Sequence, residues 1–159
     1  MASLLTALDA RGVATLILNR PEVHNAFDDA LIGELNTAIS MYAKHPEVRL
    51  LVLRAAGKSF SAGADLGWMK RMASYSSEDN LADALELERL MHSLYDFPRP
   101  TIALVQGAAY GGAVGLVSCC DMAIGADNAQ FSLSEVRIGL APATISPFVV
   151  KAMGARAAR

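Results

Sequence analysis

Three stretches of this sequence carry residue types suited to chemistry: "SAGAD" at 61–65, "QGAAYGGAVG" at 106–115 and "FSLSEVRIGLAPA" at 131–143. The first two offer almost no functional side chains. What glycine and alanine offer is bare backbone, including N–H groups open to a ligand. Each follows a β-like stretch and can lead into a helix, whose first turn presents unpaired N–H groups at its positive end. Two such turns side by side would aim two donors at one oxygen, the geometry of an oxyanion hole. Losing one such donor costs about 2.7–4 kcal/mol of barrier in a well-studied case. Each turn also has a plainer account, since glycines serve tight backbone geometry and close packing. Neither matches GxGxxG or a P-loop, so nucleotide phosphate binding gains no support.

The third stretch contains Glu135 among apolar and small residues. It is either a helix cap or partner of Arg137, or a desolvated acid/base aimed at a substrate; on pattern alone the first account leads. His24, His45 and His92 are isolated. No GxSxG elbow is present and no Ser/His/Asp set assembles. Trp68 and Met69, just after Asp65, read as core or pocket wall.

The elements that must position these residues alternate between strand and helix. "VATLIL" (13–18) and "RLLVLRA" (49–55) read as strands, the second in the form of a buried one. Asp28 or Asp29 can cap a helix whose face is Leu31, Leu35, Ile39 and Tyr42. Ser77 to Asp79 can start another, with Leu87, Leu90, Met91 and Leu94 on its face, stopped by "FPRP". "TIALV" is a strand, "GAAYGG" a turn, 112–120 a buried helix, and "MAIGA" and "AQFSL" two further strands. This order predicts an α/β fold with a mainly parallel sheet, whose ligands sit where strands end and loops enter helices.

The 159 residues suffice for one domain with a sizeable core, and 53% hydrophobic against 19% charged residues is a globular balance. A net charge of −2 argues neither for nucleic acid nor for an anionic membrane surface. Adjacent Cys119 and Cys120 read as buried thiols in a reducing compartment, with no zinc spacing. The start of the chain resembles neither a signal nor a transit peptide. The apolar run 101–120 has the length of a membrane span, but Gln106, its glycines and β-branched "TIALV" favour a strand, a turn and a buried helix.

The blocks "LNRPEVHNAF", "KSFSAGADL" and "VQGAAYGGAVGLVSCCDMAIGADNAQFSLSEVRIGLAP" together resemble the enoyl-CoA hydratase/isomerase (crotonase) superfamily, from about Val13 to Gly154. Within it, the wording around "GLVSCCDMAIG" and "LSEVRIGLAPA" is most similar to bacterial methylglutaconyl-CoA hydratases. The resemblance implies an α/β spiral of repeated ββα units, one core domain over 1–159, and an acyl-CoA thioester substrate. It implies that the Ala62 and Gly112 N–H groups hold the thioester oxygen. Ala62, Gly63, Ala64, Asp65, Gly111 and Gly112 would line the coenzyme A site, and Glu135 would move protons. Many hydratases carry a second glutamate where Gly115 stands here. Gly115 and Trp68 are therefore expected to line an acyl pocket, Gly115 leaving room for a bulky or carboxylated group. No metal or cofactor is expected, coenzyme A entering as part of the substrate. The family pattern continues into a C-terminal helical segment that covers the site and builds trimers, so the chain reads as the N-terminal part of that pattern. Expected partners are the acyl-CoA and further copies of the chain as a trimer or dimer of trimers, with neither nucleic acid nor membrane, in the cytoplasm. Hydration is the leading reaction; a double-bond isomerase and a non-catalytic acyl-CoA-binding subunit are the alternatives.

Overall fold

A computed structural model describes residues 2–159. The main sheet has strands β1 (Leu4–Leu8), β2 (Val13–Leu18), β3 (Leu50–Ala55), β4 (Thr101–Val105) and β6 (Met122–Gly125), side by side in that order. β1 and β2 form an antiparallel hairpin, and every later pairing is parallel. Helices α1 (Asp29–Lys44), α2 (Leu66–Met72), α3 (Ser77–Tyr95), α4 (Gly112–Cys119), α5 (Ser146–Met153) and α6 (Ala155–Ala158) complete the chain. β2 alternates half-buried and buried residues, with Ala14, Leu16 and Leu18 turned into the core.

A second, thinner layer follows the same order. β5 (Ala108–Tyr110) pairs in parallel with β7 (Gln130–Ser132), and single parallel bridges join Ser61 to Ala109 and Phe27 to Ala64. Each turn of the chain thus lays a long strand in the main sheet, a short extended piece in the second layer, and then a helix. "GAAYGG", expected as a turn, contains the strand β5; three residues between glycines are too short to show alternation, and the pairing partner lies far along the chain. β1 had no sequence expectation.

The helix faces follow the sequence spacing. Leu31, Leu35, Ile39 and Tyr42 of α1 are buried, as are Leu90, Met91 and Leu94 of α3, while Leu87 is half-buried. Asp28 caps α1 by accepting the Leu31 N–H at 3.0 Å, and Ser76 caps α3 by accepting that of Asp79. Residues 101–120 are β4, β5 and the buried α4. Among the described residues no helix is long and apolar enough to cross a membrane. Cys119 and Cys120 are free, and burial pushes both thiols up to about 12, so they stay protonated and poorly nucleophilic near neutral pH.

Candidate active site

The second layer brings the two glycine-rich stretches together. Ser61 N–H donates to Ala108 O and Tyr110 N–H to Ser61 O, both at 3.0 Å. Gly63 lies so close to the neighbouring strand that a Cβ there would stand 2.9 Å from Tyr110 O, and its φ of +89° suits glycine. On the outer side, Phe27 N–H donates to Gly63 O at 2.9 Å and Asp65 N–H to Phe27 O at 3.0 Å. Both backbone groups flanking Ala64 therefore face Phe27. Strand alternation turns the Ala64 N–H the other way, toward the cavity that Ala64 lines. That N–H meets no acceptor among the described residues.

The same logic applies one strand over. Gly111 N–H donates to Ser132 O at 2.9 Å, while Gly112, the first residue of α4, has an N–H without an acceptor among the described residues. It sits at the positive end of a buried helix. Phe27 fills the angle between the two loops, its Cζ only 2.8 Å from where a Cβ on Gly112 would be.

Ala62 is placed differently from expectation. Its N–H donates to His24 O at 2.9 Å, so it is spent on the fold. The free donor in this loop is two residues on, at Ala64. Sequence alone did not reveal this, because it depends on which way an irregular bridge to Phe27 alternates.

Glu135 stands in a 3-10 turn, Ser134–Ile138, ended by Gly139 in the left-handed conformation. It neither caps a helix nor pairs with Arg137 among the described contacts. Its carboxylate lies over Gly111, with Oε2 3.3 Å from where a Cβ there would be. That Oε2 is buried without a hydrogen-bond partner. A buried polar oxygen without a partner costs about 1–3 kcal/mol, more if charged, so its retention calls for a reason.

These groups wall a cavity of about 350 Å³. Ala62, Gly63, Ala64, Gly111, Gly112, Glu135 and Trp68 line it. Its deep end holds Phe27, Trp68 and Ile145, at most 4% exposed, and its rim holds Leu66, Ile138 and Leu140, at least 49% exposed. Trp68 is pinned by an Nε1–H bond to Asp83 on α3, 3.0 Å long.

Two expected lining residues lie outside this cavity. Asp65 is the N-cap of α2, accepting the Gly67 and Trp68 N–H groups at 2.8 and 3.2 Å, and it pairs with Arg20 at 3.2 Å. Burial would raise its carboxyl, but the Trp68 and Gly67 N–H groups and the Arg20 charge outweigh it and hold Asp65 below the usual carboxylate range. Arg20 also reaches Asp28 at 2.9 Å, so one guanidinium ties the caps of α1 and α2. Gly115 is the second. A Cβ at 115 would run into Ile145 Cγ2 and stand 2.8 Å from Ile145 Cβ and 3.1 Å from Met91 Sδ. The room expected there is already filled.

Asn25 had no place in the sequence reading. It is fully buried with φ +53°, Oδ1 accepting Arg20 N–H at 2.8 Å and Nδ2 donating to Ala56 O at 2.7 Å and Ser59 O at 2.9 Å. With His24 O holding Ala62, this fixes the loop that ends in the Ala64 donor. A buried, left-handed Asn beside left-handed His24 is a signal only once its partners are known.

A spiral α/β core thus sets two free backbone donors and one lone carboxylate around an apolar cavity. The chain belongs to the enoyl-CoA hydratase/isomerase family, whose family model matches residues 9–159. It is similar to a crystal structure of an enoyl-CoA hydratase from Shewanella pealeana, with 52% identity, a TM-score of 0.96, and coverage of 99% of this chain and 59% of that one. It is similar to the crotonyl-CoA hydratase of Syntrophomonas wolfei, 35% identical over 131 residues, 82% of this chain and 49% of that protein. It also resembles the trans-2-decenoyl-[acyl-carrier-protein] isomerase of Streptococcus mutans, 36% identical over 132 residues, 82% of this chain and 50% of that protein. The chain thus spans about half the length of these two curated relatives. The mixed α/β crotonase-like fold expected from the sequence is the fold of its close structural neighbours.

Proposed function

We propose that this chain carries the chemical centre of an enoyl-CoA hydratase. The observation that carries the reading is the partnerless Glu135 oxygen, set beside two unpaired N–H groups on one apolar cavity. The thioester oxygen sits between the Ala64 and Gly112 N–H groups. Glu135 takes a proton from water as the hydroxyl adds to Cβ. The carbon–carbon double bond becomes an enolate whose charge falls on that oxygen, where fixed donors count most. Glu135 then returns its proton to Cα, and the carboxylate is restored.

The acyl group we propose is branched and carboxylated, as in methylglutaconyl-CoA of leucine breakdown. Its support is the wording around 115–125 and 133–143 alone, since the space expected at Gly115 is occupied. A second reading, double-bond isomerisation, is favoured by the single carboxylate, because one base can carry a proton from one carbon to another. It also fits the isomerase activity of the Streptococcus mutans relative.

Incubation of an enoyl-CoA in 18O-labelled water separates the readings. A 3-hydroxyacyl product carrying the label supports hydration. A shifted, unlabelled double bond selects isomerisation, and binding without turnover overturns both. Glu135→Gln keeps the shape and removes the base, so it is expected to bind acyl-CoA normally and lose most turnover.

A further inference from the structure

We infer that Ile145 sets the depth of the acyl pocket and confines this site to short acyl chains. The inference rests on the acyl-CoA reading above. The cavity runs from an exposed rim to a buried end formed by Phe27, Trp68 and Ile145. An acyl chain whose carbonyl oxygen is held at Gly112 and Ala64 and that turns away from the exposed rim enters that buried, apolar end.

Gly112 and Gly115 are three residues apart on α4, so they face roughly one side and stand about 4.5 Å apart along the axis. Ile145 covers the later of the two, its Cβ and Cγ2 seated where a side chain at 115 would project. Its side chain therefore stands about one helical turn beyond the thioester oxygen, at the height of the first carbons past the double bond.

Ile145 is held in place. It precedes α5, its N–H donates to Pro142 O at 3.2 Å, and its carbonyl accepts the Phe148 and Val149 N–H groups, both at 3.1 Å. It is 2% exposed. A β-branched side chain so anchored has few rotamers with which to make way. The volume that a second carboxylate would need is thus hydrocarbon, and the glycine at 115 and the isoleucine at 145 form a matched pair.

The test measures binding of butyryl-, hexanoyl- and octanoyl-CoA by calorimetry, and kcat/KM for the matching 2-enoyl thioesters. It uses the parent, Ile145→Ala and Ile145→Val. The parent is expected to favour the shortest chain. Ile145→Ala should raise the octanoyl-to-butyryl affinity ratio by about 10-fold or more, the effect of one to a few methylenes in an apolar pocket. Ile145→Val removes only Cδ1 and should move the ratio the same way by less. Because it leaves Cγ2 against Gly115, it keeps the test decisive if the alanine variant does not fold. A parent indifferent to chain length, or a ratio unmoved in a folded variant, overturns the inference while the acyl-CoA reading stands. If no acyl-CoA binds the parent, both fall.

Discussion

Replacing Gly112 with alanine tests the backbone hole through a clash of known size. The new Cβ would stand 2.8 Å from Phe27 Cζ and 2.9 Å from Cε2. To restore ordinary contact, which begins at 3.4 Å, the ring must retreat by about 0.6 Å. Phe27 is 2% exposed and borders the cavity, so a ring that retreats moves into the site itself. Its backbone also grips Gly63 O and Asp65 N–H, on either side of the Ala64 donor. The displacement is therefore passed to the second half of the hole. Catalytic groups need holding within about 0.5 Å, and outright loss of one donor costs roughly 10²–10³ in kcat. Gly112→Ala should lower kcat by about 10- to 100-fold with a smaller change in KM, since the donors matter most in the transition state. The overpacking should cost about 1–3 kcal/mol of stability, read as about 2–4 °C of Tm per kcal/mol. Steady-state hydration of crotonyl-CoA and a thermal melt measure both. Adding Phe27→Leu should recover part of the rate. A folded Gly112→Ala variant at parental kcat, or no recovery in the double variant, refutes the reasoning.

Asn25→Asp puts a carboxylate where Nδ2 donates to Ala56 O and Ser59 O, so the loop ending in Ala64 loses its anchor. We expect kcat to fall by about 10-fold or more with KM within threefold, a split that simple partial unfolding does not give; equal losses in active fraction and rate count against it. Asp65, held below the usual carboxylate range, contributes stability above its unfolded value near 3.8 and loses it as pH falls through its lower folded value. Tm of the parent should therefore drop on acidification below about pH 4, and Asp65→Asn should flatten that limb; parallel curves for the two proteins exclude the Arg20–Asp65 pair as its source.

What could be read in advance was what is written locally. α1 and α3 bury the residues their spacing picks out, and β2 and β3 lie within a residue of the expected bounds. β1 escaped because the three residues after Leu4 are exposed, leaving no alternation to find. The site was half legible. Glu135 and the two glycine-rich turns meet around one cavity. Two finer assignments failed on contacts between distant segments: Ala62 is occupied by His24 O, and Gly115 by Ile145. Neither partner is marked by its own neighbourhood in the sequence.

The donors at 64 and 112 belong to the main chain, and this decides what a mutational survey of the protein can detect. An alanine scan is silent at Ala64 by construction, and most residues placed there present the same N–H. The constraint is displaced onto neighbours such as Gly63 and Gly112, whose contribution is an atom they lack. Sensitivity to substitution will therefore trace a ring around the reactive oxygen and miss its centre. Only an edit of the peptide itself, such as an ester in place of the amide at position 64, touches the group directly.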